Sequence, residues 1–206
     1  MFEKPRIYLA GPTVFLENPE VIFDEMRDIC AKYGIEVVAP IDNQLDMSGV
    51  KAGKELGMKI VEADRLLMDE LDGAILCVDS WRGAEMDTGT AVELGYLRAL
   101  NKPMIGWVTD ARPYPDKTKE HYNNVTVIAS FNEKGATSGH ERASDGSLIH
   151  SEGFIVHGMA QGFIEQTGGK IVYGETWQQA FEQAAISMKE LWAKRLEHNQ
   201  ESHPKP

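Results

Sequence analysis

The sequence predicts an α/β fold: a three-layer, doubly wound parallel sheet of Rossmann- or flavodoxin-like kind. Short apolar runs rich in β-branched residues alternate with amphipathic stretches of helical period. The runs are continuously apolar, which suits strands covered on both faces. Repeated βα units of this kind imply parallel strands joined by right-handed crossovers.

The elements follow in order. A strand over 6–10, Arg6-Ile7-Tyr8-Leu9-Ala10, begins almost at residue one and stops at the sharp turn of Gly11-Pro12. A helix over 18–33 carries the apolar stripe Val21, Ile22, Met26, Ile29 and Cys30, and a strand over 35–38 is closed by Pro40. The loop after it, 39–44, offers Asp42 and Asn43, which read first as turn formers and second as base or sugar contacts. A second helix over 52–71 carries Glu62, Asp64, Asp69 and Glu70, expected on its solvated face. The third strand, 74–78, is Ala74-Ile75-Leu76-Cys77-Val78. Asp87 is placed to N-cap a helix over 88–101 that runs through Ala91, Leu94, Leu97 and Leu100 until Asn101 and Pro103 stop it. Strands over 103–108 and 170–173 and a helix over 176–198 complete one domain, 1–198, with a polar tail at 199–206. Residues 110–157 are the least regular, and an irregular insertion or arm is expected over about 110–165.

Composition bounds the function. A chain of 206 residues with 42% hydrophobic and 26% charged residues has ordinary globular composition. Its net charge of −11 argues against a nucleic-acid surface and for neutral small-molecule ligands. Cys30 and Cys77 read as small core residues in a reducing cytoplasm. No signal peptide and no apolar run long enough to span a membrane is evident, so a cytoplasmic location is expected. His121, His140, His150 and His157 are separated by 19, 10 and 7 residues, which matches no compact metal-ligand pair, so neither metal nor cofactor is expected.

The informative stretch runs from Asp72 to Tyr96, where an apolar strand ends in acids and a Gly-rich turn opens the helix bearing Glu93. Ligands of open α/β sheets bind outside the strands' carboxyl ends, so Asp79 and the following loop point at that crevice. On its helix Glu93 shares a face with Gly89 and Thr90, leaving space above its carboxylate for a nucleophile's work. Tyr8 and Gly11 supply the facing strand end: a hydroxyl to orient a carboxylate, and a residue without a side chain to admit a ligand. A solvated helix glutamate, an ordinary N-cap, a core tyrosine and a loop glycine are the plainer readings of the same residues.

Tyr8-Leu9-Ala10-Gly11-Pro12, Asp72-Gly73, and the run from Asp87 through Glu93-Leu94-Gly95-Tyr96 together resemble the nucleoside 2-deoxyribosyltransferases. The resemblance implies an enzyme in which Glu93 attacks the anomeric carbon of a 2'-deoxynucleoside. An incoming base then takes the sugar from the covalent intermediate, with configuration retained. It implies that Tyr8 orients Glu93 and that Asp72 and Asp87 are the acids near the base. It also implies a homo-oligomer in which an arm completes the neighbouring site. The nearest match to that arm is the run from Gly158 to Ile164, with Gln161 where Asn is usual and Phe163 where Met is usual. Gly11, Asp79, Gly89, Gln161 and Phe163 are thus the expected substrate contacts, and nucleosides and free bases the expected ligands. An N-glycoside hydrolase of nucleosides or their 5'-monophosphates and a non-catalytic nucleotide-sensing module remain as alternatives.

Overall fold

The computed structural model describes residues 4–42, 52–122, 125–131, 137–143, 145–149 and 152–202. β1 (Arg6–Ala10), α1 (Pro19–Lys32), β2 (Glu36–Val38), α2 (Lys54–Glu70), β3 (Gly73–Cys77), α3 (Thr88–Ala99) and β4 (Met104–Val108) follow the expected alternation. α4 (Tyr114–His121), β5 (Val125–Phe131), β6 (Thr137–Ala143), β7 (Leu148–Ile149), α5 (Gly158–Gln166), β8 (Ile171–Tyr173) and α6 (Trp177–Ser202) complete the chain.

Five strands form a parallel sheet in the order β2-β1-β3-β4-β8. That is the flavodoxin-like arrangement, whose strand order reverses between β1 and β3 and opens a crevice at their carboxyl ends. Strand pleating divides the core. Ile7, Leu9, Ile75 and Ile105 face α1 and α6, packing on Phe23, Met26, Phe181 and Met188. Tyr8, Ala10, Leu76 and Met104 face the other way, onto Met68, Leu94, Leu97 and Ile164 of α2, α3 and α5. Each fully buried side chain of this size contributes about 1.5–3 kcal/mol. This alternation aims Tyr8 at α3.

Two segments depart from expectation. Where little regularity was expected, the described residues of 110–157 contain α4 and an antiparallel sheet in the order β5-β6-β7. β5 reads as a strand in Val125-Thr126-Val127-Ile128, but its partner β6, Thr-Ser-Gly-His-Glu-Arg-Ala, has no apolar alternation, so its pairing is invisible locally. The Gly158–Gln166 segment is helical despite two glycines, each costing about 1 kcal/mol against alanine. The side chain of His157 caps it by accepting from the Met159 amide. α6 also runs on to Ser202, beyond the expected end at 198.

Asn43, Gln44 and His150 lie outside the described residues. Asp42 is a turn former: its carboxylate accepts from the Ala39 amide at 2.8 Å and from Arg27 Nη2 at 2.6 Å.

Candidate active site

The site is built where β1 and α3 face each other. Tyr8 is fully buried, and its hydroxyl donates to Glu93 Oε1 at 2.7 Å. β1 fixes the phenol because Tyr8 sits in register between Val38 of β2 and Ala74 of β3. α3 fixes Glu93 because Asp87 caps the helix, its Oδ2 accepting from the Thr90 amide at 2.9 Å and from Thr90 Oγ1 at 3.0 Å. Capping of this kind contributes about 1 kcal/mol.

Glu93 opens onto a cavity of about 600 Å³, lined also by Asp64, Asp87, Gly89 and Thr90. Its remaining wall is apolar: Val14 and Phe15 from the turn after β1, Pro40 and Ile41 after β2, and Ile60 on α2. That volume suits a small molecule with one planar apolar face and a few polar groups.

The charges are arranged for chemistry. Burial pushes the Glu93 carboxyl up to about 7, the Tyr8 hydrogen bond pulls it down, and the charges of Asp64 and Asp87 push it further up. Burial likewise raises the Tyr8 phenol, followed by the charges of Glu93 and Asp64, so Tyr8 stays a hydrogen-bond donor. Both cysteines are buried, and burial pushes each thiol up to about 12, which leaves neither as a nucleophile.

The expected site residues divide into those that converge and those that do not. Glu93, Tyr8, Asp87, Gly89 and Gly11 converge on the cavity. A β-carbon at Gly89 would stand 3.0 Å from Asp87 Oδ2, and one at Gly11 would stand 2.8 Å from the Cys77 β-carbon. Gly11 therefore serves the close approach of β1 and β3 as well as the cavity.

Asp72 is corrected. It precedes β3 at the amino end of the sheet, where its Oδ2 accepts from the Arg6 amide at 2.8 Å and its own amide donates to the Arg6 carbonyl at 2.7 Å. Asp72 ties β1 to β3 at the opposite end from the cavity. Asp79 is at the correct end of β3, but its carboxylate is held by the Thr109 amide and Oγ1, each at 2.7 Å, and by the Asp110 amide. It does not line the Glu93 cavity.

Gln161 and Phe163 are also not brought to Glu93 within the chain. The Gln161 amide is spent internally, accepting from the Ile155 amide at 2.9 Å and donating to Glu165 Oε1 at 2.8 Å. Phe163 lines a separate cavity of about 240 Å³ on the other side of α3, with Thr88, Ala91 and Gly95.

The residue that sequence reasoning missed is Asp64. It was expected in solvent, yet it lines the cavity and its charge acts on both Glu93 and Tyr8. A signal existed: Asp64, Met68 and Leu71 recur at helical spacing, and the latter two are buried, so Asp64 interrupts an inward stripe. Phe15 was missed as well, standing exposed in the turn after Gly11-Pro12. Among the described residues no cluster of three His, Cys, Asp or Glu side chains forms a metal site. Nor is any described helix long and apolar enough to cross a membrane.

In class, then, this is a flavodoxin-like α/β scaffold whose switch-point crevice holds a half-buried glutamate and further carboxylates, the equipment glycosyl chemistry uses. Residues 7–159 match the model of the nucleoside 2-deoxyribosyltransferase family, and the chain belongs to that family. An uncharacterized protein of Schizosaccharomyces pombe is 42% identical over 184 residues, covering 87% of this chain and 86% of its own length. The fold is shared with a 2-desoxiribosyltransferase from Leishmania mexicana, at 23% identity and a TM-score of 0.60, over 88% of this chain and 97% of that one. It is shared also with a conserved protein from Enterococcus faecalis V583, at 18% identity and a TM-score of 0.56, over 91% and 99% of the two chains.

Proposed function

We propose that the protein exchanges nucleobases on 2'-deoxynucleosides through a deoxyribosyl ester on Glu93. Family membership supports deoxyribosyl chemistry, and the L. mexicana protein of the same fold is a 2-desoxiribosyltransferase. The observation that carries the reading is the 2.7 Å bond from the Tyr8 hydroxyl to Glu93 at the cavity, which Asp64 also lines, one helical turn after Ile60 on α2.

The roles follow from the environments. The planar base lies against Phe15, Pro40, Ile41 and Ile60, which places Asp64 beside it as the proton donor. Asp87 is unsuited to donate, because its Oδ2 is occupied by the cap, accepting from the Thr90 amide and Oγ1. It accepts instead from a sugar hydroxyl. In the first half-reaction a Glu93 oxygen forms a bond to C1' as the bond from C1' to the base nitrogen breaks. The released electron pair takes the proton from Asp64. In the second, Asp64 removes a proton from the incoming base, whose nitrogen displaces Glu93. Two displacements at one carbon retain configuration. The chemistry needs one proton on the pair, held by Asp64: that removes the Asp64 charge that raises Glu93 and leaves Glu93 as the anion, so the two serve opposite ends of a transition state in which the sugar is positive and the base negative.

Incubation with deoxyinosine, with and without excess adenine, tests the reading. Formation of deoxyadenosine is the expected result. Hypoxanthine release that is insensitive to adenine would make the protein a hydrolase, and no reaction on either count would remove the catalytic reading.

A further inference from the structure

Beside the catalytic cavity lies a second of about 650 Å³ that shares Asp87 with it, and an aromatic stack joins the lining of one to that of the other. Phe15 lines the first; Trp81 and Arg82 line the second. The Phe15 and Trp81 rings have centroids 6.3 Å apart and planes inclined by 23°. The Arg82 guanidinium stands 5.4 Å from the Phe15 centroid and 5.1 Å from that of Trp81. Among the described residues it forms no ion pair, in a chain with 32 acidic side chains.

The loop that delivers these residues is arranged at a cost to the fold. Arg82 has φ 53°, a left-handed backbone that a residue with a β-carbon adopts only under constraint. The Trp81 indole nitrogen is buried without a hydrogen-bond partner among the described residues. The loop is closed beneath them by the Trp81 amide on the Glu85 carbonyl at 2.7 Å and Ser80 Oγ on the Ala84 carbonyl at 3.0 Å. Two adjacent penalties fall in the one tight loop that sets Trp81 and Arg82 against Phe15. Phe15 itself remains 57% exposed, so the stack does not bury it; it orients it.

We propose that Trp81 and Arg82 are positioning residues that hold Phe15 as the platform on which the nucleobase stacks. The inference rests on the proposed reading for the identity of the ligand, a planar heteroaromatic base. A ring free to rotate must be ordered at each binding event, whereas one already held against a second ring, with one guanidinium over both, offers its open face at no further ordering cost. The brace acts on binding and not on the reaction at C1', because neither Trp81 nor Arg82 lines the Glu93 cavity.

Binding separates this inference from the catalytic one. Adenine and deoxyinosine are titrated by calorimetry into the Glu93→Ala protein, which needs no turnover, and into the same protein carrying Arg82→Gly or Trp81→Ala. Arg82→Gly relieves the left-handed backbone, so a purely structural Arg82 predicts unchanged affinity alongside unchanged or raised thermal stability. The brace predicts at least tenfold weaker binding of both ligands with no fall in Tm, and partial recovery of affinity in Trp81→Phe relative to Trp81→Ala. In the active parent, the same Arg82→Gly change raises KM by a similar factor with kcat altered less than threefold. Affinity that is unchanged in Arg82→Gly, or failure of the Glu93→Ala protein to bind any base, overturns the brace. Failure of the parent to transfer deoxyribose, with base binding and its Arg82 dependence intact, overturns only the proposed reaction.

Discussion

The Tyr8 hydroxyl donates to Glu93 Oε1 at 2.7 Å across 85 residues of sequence, joining the first strand of the sheet to the helix after the third. The bond favours the ionised carboxylate against burial and the charges of Asp64 and Asp87. Removing it in Tyr8→Phe raises the Glu93 pKa further. A hydrogen bond to a charged group contributes about 1.5–3 kcal/mol, equivalent to roughly one to two pH units. The acid limb of the kcat/KM profile, expected near 7 in the parent, therefore moves up by about one unit or more in Tyr8→Phe. Activity at pH 7 falls by about fivefold or more. An unmoved limb contradicts the orienting role of Tyr8.

Glu93 also leaves a mark on stability. Its folded pKa, pushed up to about 7, lies above its value in the unfolded chain, so the folded state holds the proton more tightly. Its contribution is fully present below the unfolded pKa and is lost as pH rises through about 7. Glu93→Gln keeps a group able to accept from Tyr8 and removes the buried charge. The variant is expected to be more stable than the parent at pH 8, by about 2–3 kcal/mol at most, and to show little advantage at pH 5. Denaturant unfolding at the two pH values measures the difference. An equal ΔΔG at both contradicts the buried, raised carboxyl.

Two aspartates separate the chemical role from the structural one. Asp64→Asn removes the proton donor and is expected to lower kcat by about 10²–10⁴ with unactivated bases, the usual contribution of a general acid. The deficit shrinks for a deoxyriboside whose base leaves readily as an anion. Asp72→Asn lies at the far end of β3, on the Arg6 amide, and is expected to keep parental kcat while losing about 1 kcal/mol of stability. Steady-state kinetics of the pair decide it. Loss of activity in Asp72→Asn with parental rates in Asp64→Asn contradicts the assignment.

Asp87 holds both a helix and a substrate in this account. Asparagine is as good an N-cap as aspartate, whereas alanine costs about 1 kcal/mol. Asp87→Asn is therefore expected to melt within a few degrees of the parent yet bind deoxynucleoside more weakly, because it loses the anionic acceptor. Asp87→Ala is expected to lose both stability and binding. Thermal melts alongside KM values test the separation, and parental KM in Asp87→Asn contradicts the substrate contact.

The sheet and its helices were legible because buried parallel strands announce themselves as apolar runs, and α3 because Asp87 caps it at the expected residue. Tyr8 and Glu93 were legible as a hydroxyl and a carboxylate on facing elements, and the resemblance that their motifs carry made them partners; the structure has them 2.7 Å apart. Asp72 was misplaced because the motif Asp72-Gly73 marks a strand's beginning, while ligands gather at strand ends. Asp64 was hidden among the acids of a charged helix, where composition masks a single inward position. The antiparallel sheet was illegible because β6 has no apolar alternation, Ala143 at its end being its one apolar side chain. The stack of Phe15, Trp81 and Arg82 joins two loops 66 residues apart and leaves no local pattern.

Mass spectrometry of the acid-quenched protein after incubation with deoxyinosine, followed by peptide mapping, tests the central claim most directly. The account predicts a mass increase of one deoxyribosyl group on the peptide containing Glu93, its disappearance when adenine is added before the quench, and its absence from Glu93→Gln. A deoxyribosyl adduct on any other residue, or base exchange at the parental rate in Glu93→Gln, contradicts it.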